Sequence, residues 1–90
     1  MATMFVKHHV SHYGSWRHVY DEFAPVRKAR GVEKQKVYRS IDDPNDVTVL
    51  HRFATAKAAF EFAESDELKV AMQKGGVVGK PTIWFTERAD

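Results

Sequence analysis

The chain has no cysteine. That excludes disulfides, thiolate metal sites, iron–sulfur clusters and cysteine nucleophiles, and it fits a reducing compartment. Charge of one sign is also missing: 14 Lys and Arg against 12 Asp and Glu leave a formal +2. The signs are interspersed, as on an ordinary solvated surface, rather than gathered into the basic face of a nucleic-acid binder. No apolar run approaches the roughly 20 residues of a membrane span. Met1 to Phe5 lacks the basic-then-apolar order of a secretory signal. The sequence therefore predicts a cytoplasmic protein with neither nucleic acid nor membrane among its partners. What is present is 43% hydrophobic and 12% aromatic in 90 residues, enough for one domain over 1–90 and no second one.

The periodicity alternates between two kinds. Met4 to Val10 is β-rich and ends in turn and cap chemistry at Ser11 to Ser15. Trp16, Val19, Tyr20 and Phe23 then fall on one face of a helix that Gly31 terminates, with a kink expected at Pro25. Gln35 to Ile41 and Val47 to Phe53 alternate as strands around the turn Asp42 to Asp46. Thr55 caps a second helix, Ser65 restarts it, and Gly75-Gly76 ends it. Lys80 to Glu87 reads as the last strand, with Pro81 at its start. The order βαββαβ predicts an α+β, ferredoxin-like sandwich: a four-stranded antiparallel sheet with two helices on one face.

Two helices cover one face only. With Ile41 paired to Val47, the helix-packed face takes Val6, His8, Val10, Val37, Arg39, Ile41, Val47, Val49, His51, Phe53, Ile83 and Phe85. The other face carries Phe5, Lys7, His9, Tyr38, Thr48, Leu50, Arg52 and Trp84. An even loop would exchange these assignments relative to Val47–Phe53. Large aromatics mixed with a few cationic and polar groups suit a small-molecule pocket or a dimer interface, and a bare apolar patch of that size needs a partner. A second copy is the expected cover.

Certain pieces occur together in order: His8-x-Val10-x-x-Tyr13-x-x-Trp16, Tyr20-Asp21-Glu22, Val26-Arg27-Lys28-Ala29-x-Gly31, Asp43-Pro44-Asn45-Asp46-Val47, Ser65-Asp66-Glu67-Leu68 and Gly76-Val77-Val78-Gly79-x-Pro81. In these, and over nearly its whole length, the chain resembles small bacterial proteins of the dimeric α/β-barrel superfamily, similar to antibiotic biosynthesis monooxygenases and polyketide cyclase-like proteins. The resemblance implies a homodimer whose sheets meet in a barrel. It implies a substrate cavity either between each sheet and its helices or inside the barrel. The implied activity is that of a cofactor-independent monooxygenase or cyclase acting on a planar phenolic or polyketide-like compound, with no cofactor and no metal. The alternative is a non-catalytic module that binds a small ligand or a partner. Members of the subgroup often carry Asp where this chain has His12, which leaves Ser11 or Ser15 to cap the first helix.

On the mixed face, His9 is the candidate base for a phenol or enol proton, and Tyr38 is its catalytic companion. Tyr38 and Arg52 are placed to hold the resulting oxyanion, and Phe5 and Trp84 to stack on a planar substrate. Lys7 and Leu50 complete the substrate-binding set. His8, His9 and His12 do not form a metal site, because adjacent strand residues point to opposite faces and no carboxylate stands near. His8 and His51 read as hydrogen-bonded buried histidines. Gly75 to Pro81 lacks the spacing and following helix of a phosphate loop. Asp46 to Phe53 lacks the aromatic run of an RNA-recognition strand. Ala56 to Lys74 contains no histidine to ligate haem.

Overall fold

Ala2, Met4, Val6, His8 and Val10 are all buried, and the residues between them are not. The same holds for Val47, Val49, His51 and Phe53. This period of two builds a sheet with one covered face. In the computed structural model, which describes residues 1–90, the sheet contains β1 (Ala2–Val10), β2 (Lys34–Arg39), β3 (Asp46–Phe53) and β4 (Val77–Glu87). The strand order is β2-β3-β1-β4, with each pairing antiparallel. The first crossover carries α1 (Tyr13–Glu22) and α2 (Ala24–Ala29); the second carries α3 (Ala56–Glu64) and α4 (Asp66–Lys74). The helices bury Trp16, Tyr20, Ala59, Phe62 and Leu68 against the covered face. This is the ferredoxin-like α+β fold that the element order predicts. No helix is long and apolar enough to cross a membrane.

Four details differ from the sequence reading. The first helix is broken rather than kinked. Pro25 cannot donate to the Asp21 carbonyl, so α1 closes at Phe23 and Pro25 sits in the first turn of α2, where no donor is needed. β2 stops at Arg39, which pairs with Val47, and Ile41 is wholly exposed. The turn starts early because Asn45 is held on three sides. Its N–H donates to Asp43 Oδ1, its carbonyl accepts from Val10 N–H, and its Oδ1 accepts from Tyr13 N–H. The register moves by two residues, so the residues within β2 keep their expected faces, while Ile41, expected on the helix-packed face, lies past the strand end in solvent. β4 starts at Val77, and Pro81 lies inside it. The strand is at the sheet edge, where a missing donor is tolerated, and its pairing with β1 shifts between Lys7 and His9. Finally, His12 caps α1 itself: its Nδ1 accepts the Ser15 N–H at 3.2 Å. Thr55 and Ser65 cap α3 and α4 as expected.

Gly75 and Gly76 fix how closely the second crossover approaches the first. Gly76 has φ +75°, and a Cβ there would lie 2.6 Å from Ser11 Oγ; a Cβ on Gly75 would lie 2.9 Å from Trp16. With Ser11 N–H donating to the Gly76 carbonyl, this turn seats α1 and its tryptophan against the sheet.

Candidate functional site

β1 and β3 lie side by side and present His8 and His51 to the helices. His8 pairs with Val47, so the two histidines are four residues apart along the strand direction, about 14 Å at ~3.4 Å per residue. The aromatic face of α1 fills the gap. Trp16 lies 5.7 Å from the His8 ring, Tyr20 4.9 Å from Trp16, and His51 5.9 Å from Tyr20, all between ring centroids. Between this ladder and α4 is a small, partly open cavity of about 40 Å³. His8, Tyr20 and His51 are the polar residues at its wall; Val6, Val49, Leu68 and Met72 are among the apolar ones.

The polar groups here are incompletely paired. Tyr20 Oη and His51 Nε2 share a hydrogen bond of 2.9 Å. His51 Nδ1 and both ring nitrogens of His8 are buried without a partner. His8 is only 6% exposed and His51 3%, so protein groups have replaced their water. A neutral imidazole offers one donor and one acceptor, and buried groups of this kind are almost always satisfied. His8 departs here from the hydrogen-bonded histidine that the sequence suggests, whereas His51 fits it at one nitrogen. Burial lowers the His8 pKa from 6.5 to about 4, against an opposing pull from Asp46. Burial, with the Arg27 charge second, lowers His51 to about 3. Both are neutral near pH 7.

Arg27 is the other unusual group. It is 3% exposed and meets no carboxylate. Its guanidinium lies 3.8 Å from the centroid of the Tyr20 ring, Nη1 donates to the Tyr20 carbonyl, and Nε donates to Gln35 Oε1 at 3.3 Å. Burial raises the Tyr20 pKa and Arg27 opposes that rise. When His51 Nε2–H donates to the Tyr20 oxygen, the phenol keeps its own proton for an oxyanion, and the Arg27 cation over the ring favours that donation. The sequence reading missed this group of residues. Arg27 falls seven residues after Tyr20 and four after Phe23, on the same helical face, and that spacing was the available signal.

The residues singled out on the mixed face sit where the face assignment put them, on the outer side of the sheet. Tyr38, Thr48 and Lys7 form one row across it; Leu50, Phe5 and Trp84 form the next. Phe5 and Trp84 stack at 5.1 Å with planes 8° apart. Lys7 Nζ reaches Asp46 Oδ2 at 3.7 Å, and His9 Nε2 reaches Asp43 Oδ2 at 3.2 Å. Arg52 Nε is buried without a partner. His9 and Tyr38 share the face but not a contact: β1 and β2 are two strand spacings apart, about 10 Å. Tyr38 is 49% exposed and Trp84 40%. No group of three or more His, Cys, Asp or Glu converges as a metal site.

No protein-family model matches the chain, and no curated protein matches its sequence. Solved structures match it over nearly its full length. It superposes with TM-score 0.82 at 15% identity on the provisionally named antibiotic biosynthesis monooxygenase of Bordetella bronchiseptica, over 98% of this chain and 96% of that one. With a point mutant of SnoaB, a cofactor-independent oxygenase from Streptomyces nogalater, the TM-score is 0.78 at 13% identity, over 99% and 93%. A third such protein, from Caulobacter crescentus, gives 0.77 at 19%, over 99% and 90%. The chain has the fold of the antibiotic biosynthesis monooxygenases. At these identities the likeness is one of fold. In this chain the cavity lies between the sheet and its helices.

Proposed function

We propose that the protein is a small-molecule enzyme of the cofactor-independent monooxygenase or cyclase type, and that its reaction site is the cavity between the sheet and the helices. The observation that carries this reading is His8: a neutral imidazole, buried on a cavity wall, with neither ring nitrogen bonded to another protein group. The substrate class that suits it is a planar phenol or enol of polyketide type. Its hydroxyl donates to His8, which takes the proton as the anion forms. A base with a pKa near 4 is weak, but an anion created beside it raises that value and favours the transfer. Tyr20, held by His51 and Arg27 at the far end of the aromatic ladder, binds a second oxygen of the substrate. The resulting phenolate or enolate is the electron-rich form that dioxygen can oxidise or that can close onto a carbonyl. Fold analogy supports this class of reaction without naming the substrate.

A second reading places the chemistry on the outer face. The stacked and exposed Phe5 and Trp84 favour it. There His9 is the base, Tyr38 and Arg52 hold the oxyanion, and Lys7 and Leu50 flank the substrate, with a second copy of the chain closing the site. We assign the outer face to homodimer contact on either reading, and the cysteine-free sequence suits a cytoplasmic setting.

The test is oxygen uptake and product formation with hydroxylated anthrones and naphthols as a panel. On the first reading, His8→Ala and Tyr20→Phe abolish or sharply lower turnover, while His9→Ala and Tyr38→Phe leave it close to the parent. The reverse pattern establishes the second. Tight ligand binding with no turnover by the parent protein identifies the non-catalytic binding module instead.

A further inference from the structure

The cavity is too small for the substrate it implies. About 40 Å³ has room for roughly two or three waters, not for a planar two-ring compound. The body of such a ligand needs another space, and one adjoins it. A groove of about 560 Å³ runs between α1, the start of α2 and α4. Val19, Phe23 and Ala71 line both the groove and the cavity, so a single layer of side chains separates them. Val70, 48% exposed, leaves an apolar patch in the groove.

Phe23 is the largest side chain of the separating layer and packs on Phe62 with ring centroids 6.2 Å apart. Phe23 stands at the break between α1 and α2, where Pro25 leaves the Asp21 carbonyl without its helical donor. Across the groove, the end of α2 is tied to the start of α4 by Arg30 Nε to Glu67 Oε1 at 2.8 Å. Both side chains of that pair are exposed, so the tie is weak. Of the charged residues lining the groove, Glu67 is paired with Arg30, which leaves the carboxylates Glu22 and Asp66 against the ammonium of Lys74.

We infer that this groove is the substrate entrance, that Phe23 is the side chain that closes it, and that the acidic rim selects neutral or cationic hydroxylated arenes over carboxylated ones. This rests on the reading that places the reaction at His8. The ring system lies in the groove on Val70 and Ala71, and the hydroxyl passes Phe23 to reach the unpaired imidazole nitrogens.

Naphthol and naphthoate are the probes, and the two tryptophan indole N–H resonances of the intact protein are the reporters. Trp16 lines the cavity and Trp84 lies on the outer face, so the two faces are read separately. Naphthol is expected to shift Trp16 and leave Trp84 in place. Phe23→Ala is expected to speed association several-fold, and Ala71→Met to weaken binding by about tenfold. Naphthoate is expected to bind about tenfold more weakly than naphthol, with Glu22→Lys narrowing the gap. Should Ala71→Met fail to fold, Phe23→Ala carries the test alone. A shift of Trp84 only, affinity and rate indifferent to both variants, or no binding at all overturns the inference. Naphthol bound past Phe23 with no oxygen uptake leaves the entrance standing and removes the catalytic reading. Turnover that needs His8 but ignores Phe23 and Ala71 does the opposite.

Discussion

His8 occupies a position where an aliphatic side chain would be more stable. Its two ring nitrogens are buried without partners, and such groups cost about 1–3 kcal/mol each when left unpaired. His8→Leu is therefore expected to raise unfolding stability by about 1–2 kcal/mol in denaturant titration while removing turnover. The same burial sets a pH dependence. His8 and His51 titrate near 4 and 3 in the folded chain but near 6.5 when unfolded. Below pH 6.5 the unfolded chain binds protons that the native chain refuses, so stability falls as pH drops from 6.5 through 4. At about 1.4 kcal/mol per unit, the two together are on the order of several kcal/mol. Thermal midpoints measured from pH 7 to 4 check this, and the His8→Leu variant should show a visibly flatter profile. An unchanged slope in that variant would remove His8 from the account.

Local signals fix the helix ends and are correspondingly readable. Thr55 and Ser65 announce themselves as caps, and each accepts the expected N–H, from Ala58 and Leu68 respectively. His12 is the exception. As a cap it serves through an aromatic nitrogen, where Asp would add a negative charge at the positive end of α1. His12→Asp is expected to gain about 0.5–1 kcal/mol, read as a higher thermal midpoint at neutral pH. The sheet faces were equally legible, because a slip of two residues at Arg39 rather than Ile41 preserves the alternation. What could not be read from the chain is non-local. The Tyr20–His51 bond joins residues 31 apart, and the lack of any partner for His8 is a fact about what α1 and α4 bring near it. Arg27 looked like an ordinary cation because charge marks a residue as surface until its helix is docked. Pro25 was visible, but whether it bends or breaks the helix depends on how Phe23 closes α1.

The whole fold has two layers, with helices on one side of the sheet only. The uncovered side presents Phe5, Tyr38, Leu50 and Trp84, a patch that a lone chain of this size would rarely leave in water. Sedimentation at micromolar concentration should find a dimer, and Leu50→Glu should convert it to a monomer; a monomeric parent protein contradicts the covered face. The architecture then divides the labour between the two sides of one sheet. On the proposed reading the outer side joins subunits, while the inner side holds a small cavity with His8, Tyr20 and His51 in an otherwise apolar wall. The chemistry-bearing groups at that wall are His8, Tyr20 and His51, with Arg27 over the Tyr20 ring.

The placement of the site on the inner side is tested most directly by a crystal structure of the protein with naphthol. The expected result is the hydroxyl oxygen about 2.7–3.0 Å from a His8 ring nitrogen, with the rings between α1 and α4. Naphthol stacked on Phe5 and Trp84 instead, with nothing near His8, contradicts it.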